Sequence, residues 1–281
     1  MLHVSTGALV SLAVIMLICF VLPFPLFYLL FRYADGRVKT LLLGGAAYLG
    51  CGVIIDTTVA YFLELLGGLD SNGALYMLYA ALLSPSLFIL VNYLIIKRFG
   101  RDNIRTTGDS MMYSLGYSTT FNALSTGFVA IMYFLTLLDI RGNEGVFQVV
   151  SDADYISMSD AVSASNLVNE SIYREMALLC GKPVSYYMTF VVSTLWAFAA
   201  YAAIMLVIWL AVRKTEKVIL LAFAYVIRLF MTLPDILERF SIIRNAWVIQ
   251  GTKILVLVII WAAALFCRKT FIDTQDASEK N

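Results

Sequence analysis

Histidine is nearly missing from this sequence, and the one that it has, His3, lies at the extreme N-terminus. A serine or cysteine nucleophile needs a neighbouring base, which is most often histidine, so no Ser-His or Cys-His pair can form within the apolar body of the chain. The cysteines are too widely spaced for a zinc motif or a disulfide framework. They are Cys19, Cys51, Cys180 and Cys267. We therefore expect no catalytic metal and no cofactor.

Charged residues are scarce as well. They make up 14% of the sequence, whereas 61% of the residues are hydrophobic and the mean hydropathy is +0.84. An ordinary soluble domain has about 25% charged residues, so a soluble core cannot absorb this apolar excess. The net charge of +1 favours no nucleic-acid partner. We expect an all-α, polytopic integral membrane protein whose main partner is the lipid bilayer of a cell membrane.

Apolar segments recur along the chain with short polar breaks between them, and each can supply the roughly 20 helical residues that cross a bilayer. The sequence predicts seven spans, at 8–31, 40–66, 74–96, 111–138, 184–212, 218–233 and 246–266. With no repeat and no linker between them, they predict a single transmembrane domain over residues 1–270. The polar tail, 271–281, is expected to be disordered and cytoplasmic.

Basic residues follow every odd-numbered span, and such residues are retained on the cytoplasmic side. This pattern predicts an N-terminus outside and a C-terminus inside. The one long connection, 139–183, is acidic and is therefore expected outside the membrane. Apolar residues at loosely helical spacing in its second half predict interfacial helices that cap the bundle, and a solvated acidic loop is the alternative.

Few ionisable residues fall inside the spans, where each costs about 2.5–3.5 kcal/mol on insertion scales. Asp56 in the second span and Arg228 in the sixth have opposite charges, and we predict an ion pair between their helices. Glu64 and Lys253 lie nearer to the ends of their spans, so we expect their charged groups to reach the interface.

Several segments resemble the YhfC-type membrane peptidases, a bacterial group related to the CAAX-protease-like glutamic intramembrane proteases. The resemblance lies in the layout of nearly the whole chain. The segments that carry it are Val21-Leu22-Pro23-Phe24-Pro25 with its basic exit, Ala80 to Pro85 running to Lys97-Arg98-Phe99, Asp109 to Tyr117, and Asn245-Ala246-Trp247-Val248. It implies a seven-span scaffold in a bacterial plasma membrane.

The family's chemistry is expected to rest on Glu, His and Arg residues in the third to sixth spans. In the third span, this chain has Ser84-Pro85 where the family has Glu-Glu, and Phe88 where the family has Arg. In the fourth span, it has Gly116-Tyr117 in place of Gly-His, and Phe121 or Asn122 in place of the Glu that follows. Thr189 and Tyr225 stand at the histidine positions of the fifth and sixth spans. No catalytic residue can therefore be carried over. The resemblance implies instead a vestigial polar pocket, formed by Ser84, Tyr117, Asn122, Thr189 and Tyr225.

The sequence therefore favours a non-catalytic membrane protein that binds another membrane protein, a peptide or a lipid. One alternative is a small transporter or permease component that uses the region of Asp56 and Arg228 as a polar pathway. A further alternative is an active intramembrane protease with unconventional residues.

Overall fold

The structure is a computed structural model that describes residues 5–67, 79–100, 103–142, 147–149, 156–158, 184–213, 217–239, 242–243 and 245–278. Seven helices in these ranges are long and apolar enough to cross a membrane. They are Thr6–Tyr33, Val38–Phe62, Tyr79–Arg98, Thr107–Asp139, Val184–Arg213, Val218–Glu238 and Trp247–Thr270. The predicted all-α fold with seven spans is thereby confirmed, and we number the spans one to seven in this order.

Most spans are built from shorter helices that follow one another. The α-helices are α1 (Thr6–Phe20), α2 (Pro23–Tyr33), α3 (Val38–Tyr48), α4 (Asp56–Gly67), α5 (Ser84–Arg98), α6 (Thr107–Asn122), α7 (Phe128–Gly142), α8 (Val184–Arg213), α9 (Lys217–Arg239) and α10 (Ala246–Ser278). Wider π-helical turns occur in spans two, three and four: π1 (Leu49–Ile55), π2 (Tyr79–Leu83) and π3 (Ala123–Gly127).

The long connection contains a feature that the sequence does not predict. Strands β1 (Phe147–Val149) and β2 (Ile156–Met158) pair in antiparallel orientation, with Gln148 opposite Ser157. The interfacial helices are predicted from apolar residues between Ile156 and Met176, but Ile156 and Met158 belong to strand β2. The rest of that stretch, 159–183, lies outside the described residues. The helical capping of the bundle therefore stays a prediction.

Two helices continue beyond their predicted ends. Helix α9 passes through Pro234 and ends at Arg239, because membrane helices tolerate a proline when neighbouring groups satisfy the backbone that it frees. Helix α10 extends to Ser278, where the sequence predicts a disordered tail. No glycine or proline follows Gly251, so no residue that commonly ends a helix is present there.

The structure divides into two compact units, where the sequence predicts one domain. The first unit comprises Met1–Val21 with Ala123–Thr194, and the second comprises Leu22–Asn122 with Leu195–Asn281. The boundary at residues 21 and 22 falls in the turn between α1 and α2, and the other two fall inside the helical spans four and five. No linker therefore marks the boundaries in the sequence. The core of the first unit is formed by apolar residues of α1, α7 and the start of α8, such as Leu12, Leu137 and Tyr187.

The core of the second unit contains the last part of α8. Every residue from Ala203 to Ala211 is buried, which agrees with the rule that a helix apolar on all sides lies inside a protein. The indole Nε1 of Trp209 and the guanidinium of Arg213 both donate hydrogen bonds to the carbonyl of Ile104, at 3.0 and 2.6 Å. These bonds tie the end of α8 to the segment before α6.

Helices α3 and α6 pack closely in the second unit because glycines lie at their contact. A Cβ atom built on Gly44 would overlap the carbonyl oxygen of Tyr113, and one built on Gly116 would overlap the carbonyl oxygen of Leu41. Small residues of this kind let the backbones of membrane helices approach each other. The second and fourth spans therefore contact each other through backbone atoms.

A buried hydrogen bond joins the third span to the fourth. The hydroxyl of Tyr113 donates to Oδ1 of Asn92 at 2.7 Å, and Nδ2 of Asn92 donates to the carbonyl of Phe88 at 2.8 Å. Both side chains are fully buried. Amides and hydroxyls in these two spans are predicted to form hydrogen bonds between helices, and Asn92 does so. Ser86 and Thr120 instead bond to carbonyls within their own spans.

Tyr113→Phe is expected to destabilise the protein by about 1–2 kcal/mol, because the mutation leaves Oδ1 of Asn92 buried without this donor. The measurement is denaturant unfolding in detergent. Tyr28→Phe is the control, because Tyr28 is 59% exposed. Asn92→Leu should lower the free energy of unfolding less in the Tyr113→Phe background than in the wild type, because the bond between the two side chains is already lost there. Equal stability of the Tyr113→Phe and Tyr28→Phe variants would contradict the expected contribution of this bond.

Candidate functional site

Arg228, in the sixth span, lies against two aromatic rings. Its guanidinium carbon is 4.7 Å from the centre of the Phe88 ring and 5.9 Å from that of Tyr201. Cations are attracted to the faces of aromatic rings, and this attraction is stronger when water is excluded. The Nε atom of Arg228 is buried and has no hydrogen-bond partner among the described residues. Within the described part of the chain, the guanidinium therefore keeps an unused donor.

A cavity of about 100 Å³ lies beside this guanidinium, within the second unit. Its walls come from spans two to six, and they consist mostly of aromatic residues and small polar residues. The lining residues are Tyr48, Cys51, Gly52, Ser84, Leu87, Phe88, Tyr117, Phe121, Tyr201 and Arg228.

Three of the lining aromatic residues pack around the buried ring of Tyr117. The centre of its ring lies 5.1 Å from that of Tyr201, 5.3 Å from that of Tyr48 and 5.6 Å from that of Phe88. Phe121 completes the cluster, with its ring centre 5.3 Å from that of Tyr201. Such edge-to-face and tilted pairs fix ring orientation. The walls of the cavity are therefore defined by mutual packing of these side chains.

The cavity carries a positive charge. Arg228 is the charged member of the lining set, which also contains the hydroxyl-bearing residues Ser84 and Tyr117. A guanidinium has donors and no acceptor, whereas a hydroxyl has both. The arrangement suits a group that accepts hydrogen bonds, such as a carboxylate, a phosphate or a carbonyl. A volume of about 100 Å³ also holds a few waters, each of which takes about 30 Å³ in the liquid.

The π-helical turns place backbone at this cavity. Cys51 and Gly52 belong to π1, and Ser84 follows directly after π2. A π-helical turn interrupts the regular hydrogen bonding of an α-helix, and such turns occur frequently at functional sites. Spans two and three are therefore irregular at the level of the cavity.

The structure places the five residues of the predicted pocket in different surroundings. Ser84 and Tyr117 line the cavity. Asn122 is buried at the end of α6 and is not a lining residue. The hydroxyl of Tyr225 donates to the carbonyl of Ala81 at 2.8 Å and so joins the sixth span to the third.

Thr189, the fifth residue of that pocket, belongs to the first unit, and its hydroxyl donates to the carbonyl of Tyr186 within its own helix. Two of the five residues thus share the cavity. That these residues form a vestigial active site stays a prediction.

The predicted partner of Arg228 begins helix α4. Asp56 follows one turn after Gly52, which lines the cavity. The side chain of Asp56 lies outside the described residues. The ion pair between Asp56 and Arg228 therefore stays a prediction.

Lys253 has a charged partner that the sequence does not predict. Its side chain is 9% exposed, and Nζ lies 3.0 Å from Oδ1 of Asp235, whose side chain is 63% exposed. The same Nζ is 5.8 Å from the centre of the Trp196 ring. The pair forms because α9 continues through Pro234, which places Asp235 on a helix next to α10. That the ammonium group reaches the membrane interface stays a prediction.

Asp109 is a structural residue that sequence reasoning missed. Its side chain is fully buried and accepts hydrogen bonds from the backbone N–H groups of Arg37, Arg105 and Thr106, at 3.2, 2.9 and 3.2 Å. The hydroxyl of Thr106 accepts in return from the N–H of Asp109 at 3.1 Å. This exchange is a capping box, and the pattern Thr-x-x-Asp before an apolar run could have predicted it.

Comparisons with known proteins add no functional assignment. No protein-family model, curated protein or solved structure matches the chain. The resemblance to YhfC-type peptidases therefore stays a prediction from sequence layout. Among the described residues, no group of His, Cys, Asp and Glu side chains is placed to hold a metal ion.

Proposed function

We propose that this chain is a non-catalytic multi-pass membrane protein that binds a membrane partner through the cavity beside Arg228. The partner is a lipid, a peptide or another membrane protein that presents a hydrogen-bond-accepting group. The observation that carries this proposal is the Nε atom of Arg228, which is buried next to a cavity and has no hydrogen-bond partner among the described residues.

The energetic cost of Arg228 supports a binding role. An arginine at membrane depth costs a few kcal/mol and is usually retained for a function. The rings of Phe88 and Tyr201 offset part of this cost, but they leave the Nε donor unused. An acceptor that entered the cavity would satisfy this donor and would offset part of the cost that remains.

The lining residues also favour binding over catalysis. Cys51, Ser84 and Tyr117 could in principle act as nucleophile or acid, but each would need a base within hydrogen-bond reach. The described residues that line the cavity include no His, Asp or Glu. A guanidinium stays protonated in proteins and cannot act as that base.

A photo-crosslinking experiment tests this proposal. A diazirine amino acid of similar size replaces Leu87, which lines the cavity, and Leu90 serves as the control position, because it lies on the same helix and is 53% exposed. We expect position 87 to capture a defined lipid or peptide that position 90 does not capture. Arg228→Met, which keeps an apolar stem and removes the charge, should reduce this product about tenfold or more.

Two results would contradict the proposal. One is capture of the same molecules in the same amounts at positions 87 and 90. The other is an unchanged product in an Arg228→Met variant that still elutes as a single folded species. Hydrolysis of a peptide that depends on Ser84 or Tyr117 would replace the binding role with the protease alternative.

The π-helical turns favour one second candidate, a small transporter. Transporters bind substrates near the membrane centre at interrupted helices, and spans two and three are interrupted at the Arg228 cavity. Proteoliposomes that contain the chain would take up a labelled organic anion if this candidate is correct. Uptake by the wild type that is lost in Arg228→Met would favour transport over binding.

A further inference from the structure

A second concave surface lies at the basic end of the third span and is separate from the Arg228 cavity. It is an open groove of about 670 Å³. Its walls include the side chains of Ile55, Val91, Leu94 and Phe99, and its end carries Lys97 and Arg98. We call it the α5 groove.

The length of the α5 groove matches one half of a bilayer. Its lining residues run from Val91 to Phe99, which corresponds to about 12 Å along a helix. One leaflet of the hydrocarbon core is about 15 Å thick. Because the groove begins at the charged end of a membrane span, it runs from the interface towards the centre of the bilayer. An acyl chain of one leaflet has the length and the polarity to lie in it.

The charges of the α5 groove lie together at its interfacial end. Lys97 and Arg98 are both exposed, and the described lining residues include no acidic residue. Nζ of Lys97 lies 5.7 Å from the centre of the Tyr93 ring, which restrains the direction of this side chain. Arginine binds phosphate oxygens through its planar donors, and lysine adds a compact positive charge. Two cations next to an apolar groove complement an anionic headgroup joined to acyl chains.

We propose that the α5 groove is a binding site for an anionic phospholipid, with an acyl chain along Val91 and Leu94 and the phosphate between Lys97 and Arg98. The site is independent of the Arg228 cavity and of the function proposed for it. The groove is open along its side, so the lipid can enter from the surrounding bilayer without a change in the helix bundle.

Native mass spectrometry of the purified full chain in detergent tests this proposal. The probes are phosphatidylglycerol, phosphatidylcholine with the same acyl chains, and glycerol phosphate without any chain. The wild type should retain phosphatidylglycerol about thirtyfold more strongly than phosphatidylcholine, because the two cations contribute about 1 kcal/mol each near an anionic headgroup and about 1.4 kcal/mol is tenfold. It should not retain glycerol phosphate, which lacks the acyl chains that fill the groove.

Two variants separate the groove from general surface charge. Lys97→Gln with Arg98→Gln should abolish the preference for phosphatidylglycerol. The matched control is Arg268→Gln with Lys269→Gln, an exposed basic pair at the end of the seventh span that does not line the groove. This control should keep the preference. Leu94→Trp, which fills the groove, should weaken retention of both phospholipids, and Leu90→Trp on another part of α5 should not.

Three outcomes would overturn the proposal. Equal losses in the two paired variants would show that surface charge alone attracts the lipid. Retention of glycerol phosphate as strong as that of phosphatidylglycerol would show a phosphate site that needs no acyl chain. A dimer in the wild type that only the Lys97→Gln and Arg98→Gln variant loses would assign the groove to a second copy of the chain.

Discussion

Gly44→Ala is expected to destabilise the protein by about 3 kcal/mol or more, although alanine is the better helix former. The added Cβ atom would overlap the carbonyl oxygen of Tyr113 on the neighbouring helix. Overpacking a well-packed interior costs about 1–3 kcal/mol, and the upper part of that range applies here because the obstructing atom belongs to the backbone. Helices α3 and α6 must then separate, so Gly116→Ala, which overlaps the carbonyl oxygen of Leu41, should have a similar effect.

Gly251→Ala is the matched control, because a Cβ atom there meets no other atom within 4 Å. Alanine in place of an exposed helical glycine should stabilise the protein by up to about 1 kcal/mol. The thiols of Cys19, Cys51 and Cys267 are buried, so a thiol-reactive dye reports thermal unfolding once Cys180 is replaced by serine. If Gly44→Ala and Gly251→Ala unfold at the same temperature, close packing of the two helices is excluded.

Asp109→Asn is expected to cost about 3 kcal/mol, although the two side chains have nearly the same shape. The buried carboxylate accepts three backbone N–H groups, and its Oδ1 also lies 3.7 Å from Nε of Arg37. Asparagine has one acceptor oxygen instead of two, and its amide would point donors at backbone donors. Hydrogen bonds to a charged group are each worth about 1.5–3 kcal/mol. The loss should loosen the start of α6 and the connection between the first two spans.

Asp35→Asn is the control for this change. Asp35 is exposed and has a φ of 54°, a left-handed conformation that asparagine adopts readily. This variant should keep wild-type stability in the same thermal assay. A limited-proteolysis experiment adds a local measurement, because Asp109→Asn should expose the bonds near Arg37 and Arg105 to trypsin. Identical digestion of the two variants would contradict the linking role of Asp109.

Much of the candidate site could not be predicted from the sequence. The resemblance pointed to Ser84 and Tyr117, which do share the cavity, but it also pointed to Thr189, which belongs to the other unit. The rings beside Arg228, Phe88 and Tyr201, look in the sequence like ordinary apolar residues of two spans. Their role depends on which helix faces present them to Arg228, and hydropathy carries no information on that choice.

The ion pair of Lys253 and Asp235 shows the same limit. The sequence predicts a sixth span that ends at residue 233, so Asp235 falls outside it and no partner is predicted for Lys253. The structure continues the helix and places the two charges 3.0 Å apart. The capping box of Thr106 and Asp109 is different, because its partners lie within a few residues of each other and its pattern is local.

The sequence by itself determined the membrane environment and the seven spans of this protein. Each span is a local run of apolar residues, and lipid forces such a run to form a helix because the backbone has no water to bond with. Only the tertiary structure decided the contact of Gly44 with the fourth span and the cavity beside Arg228. Those features need helix faces far apart in the chain to meet, and lipid-facing and helix-facing positions are almost equally apolar, so helix packing alone distinguishes them.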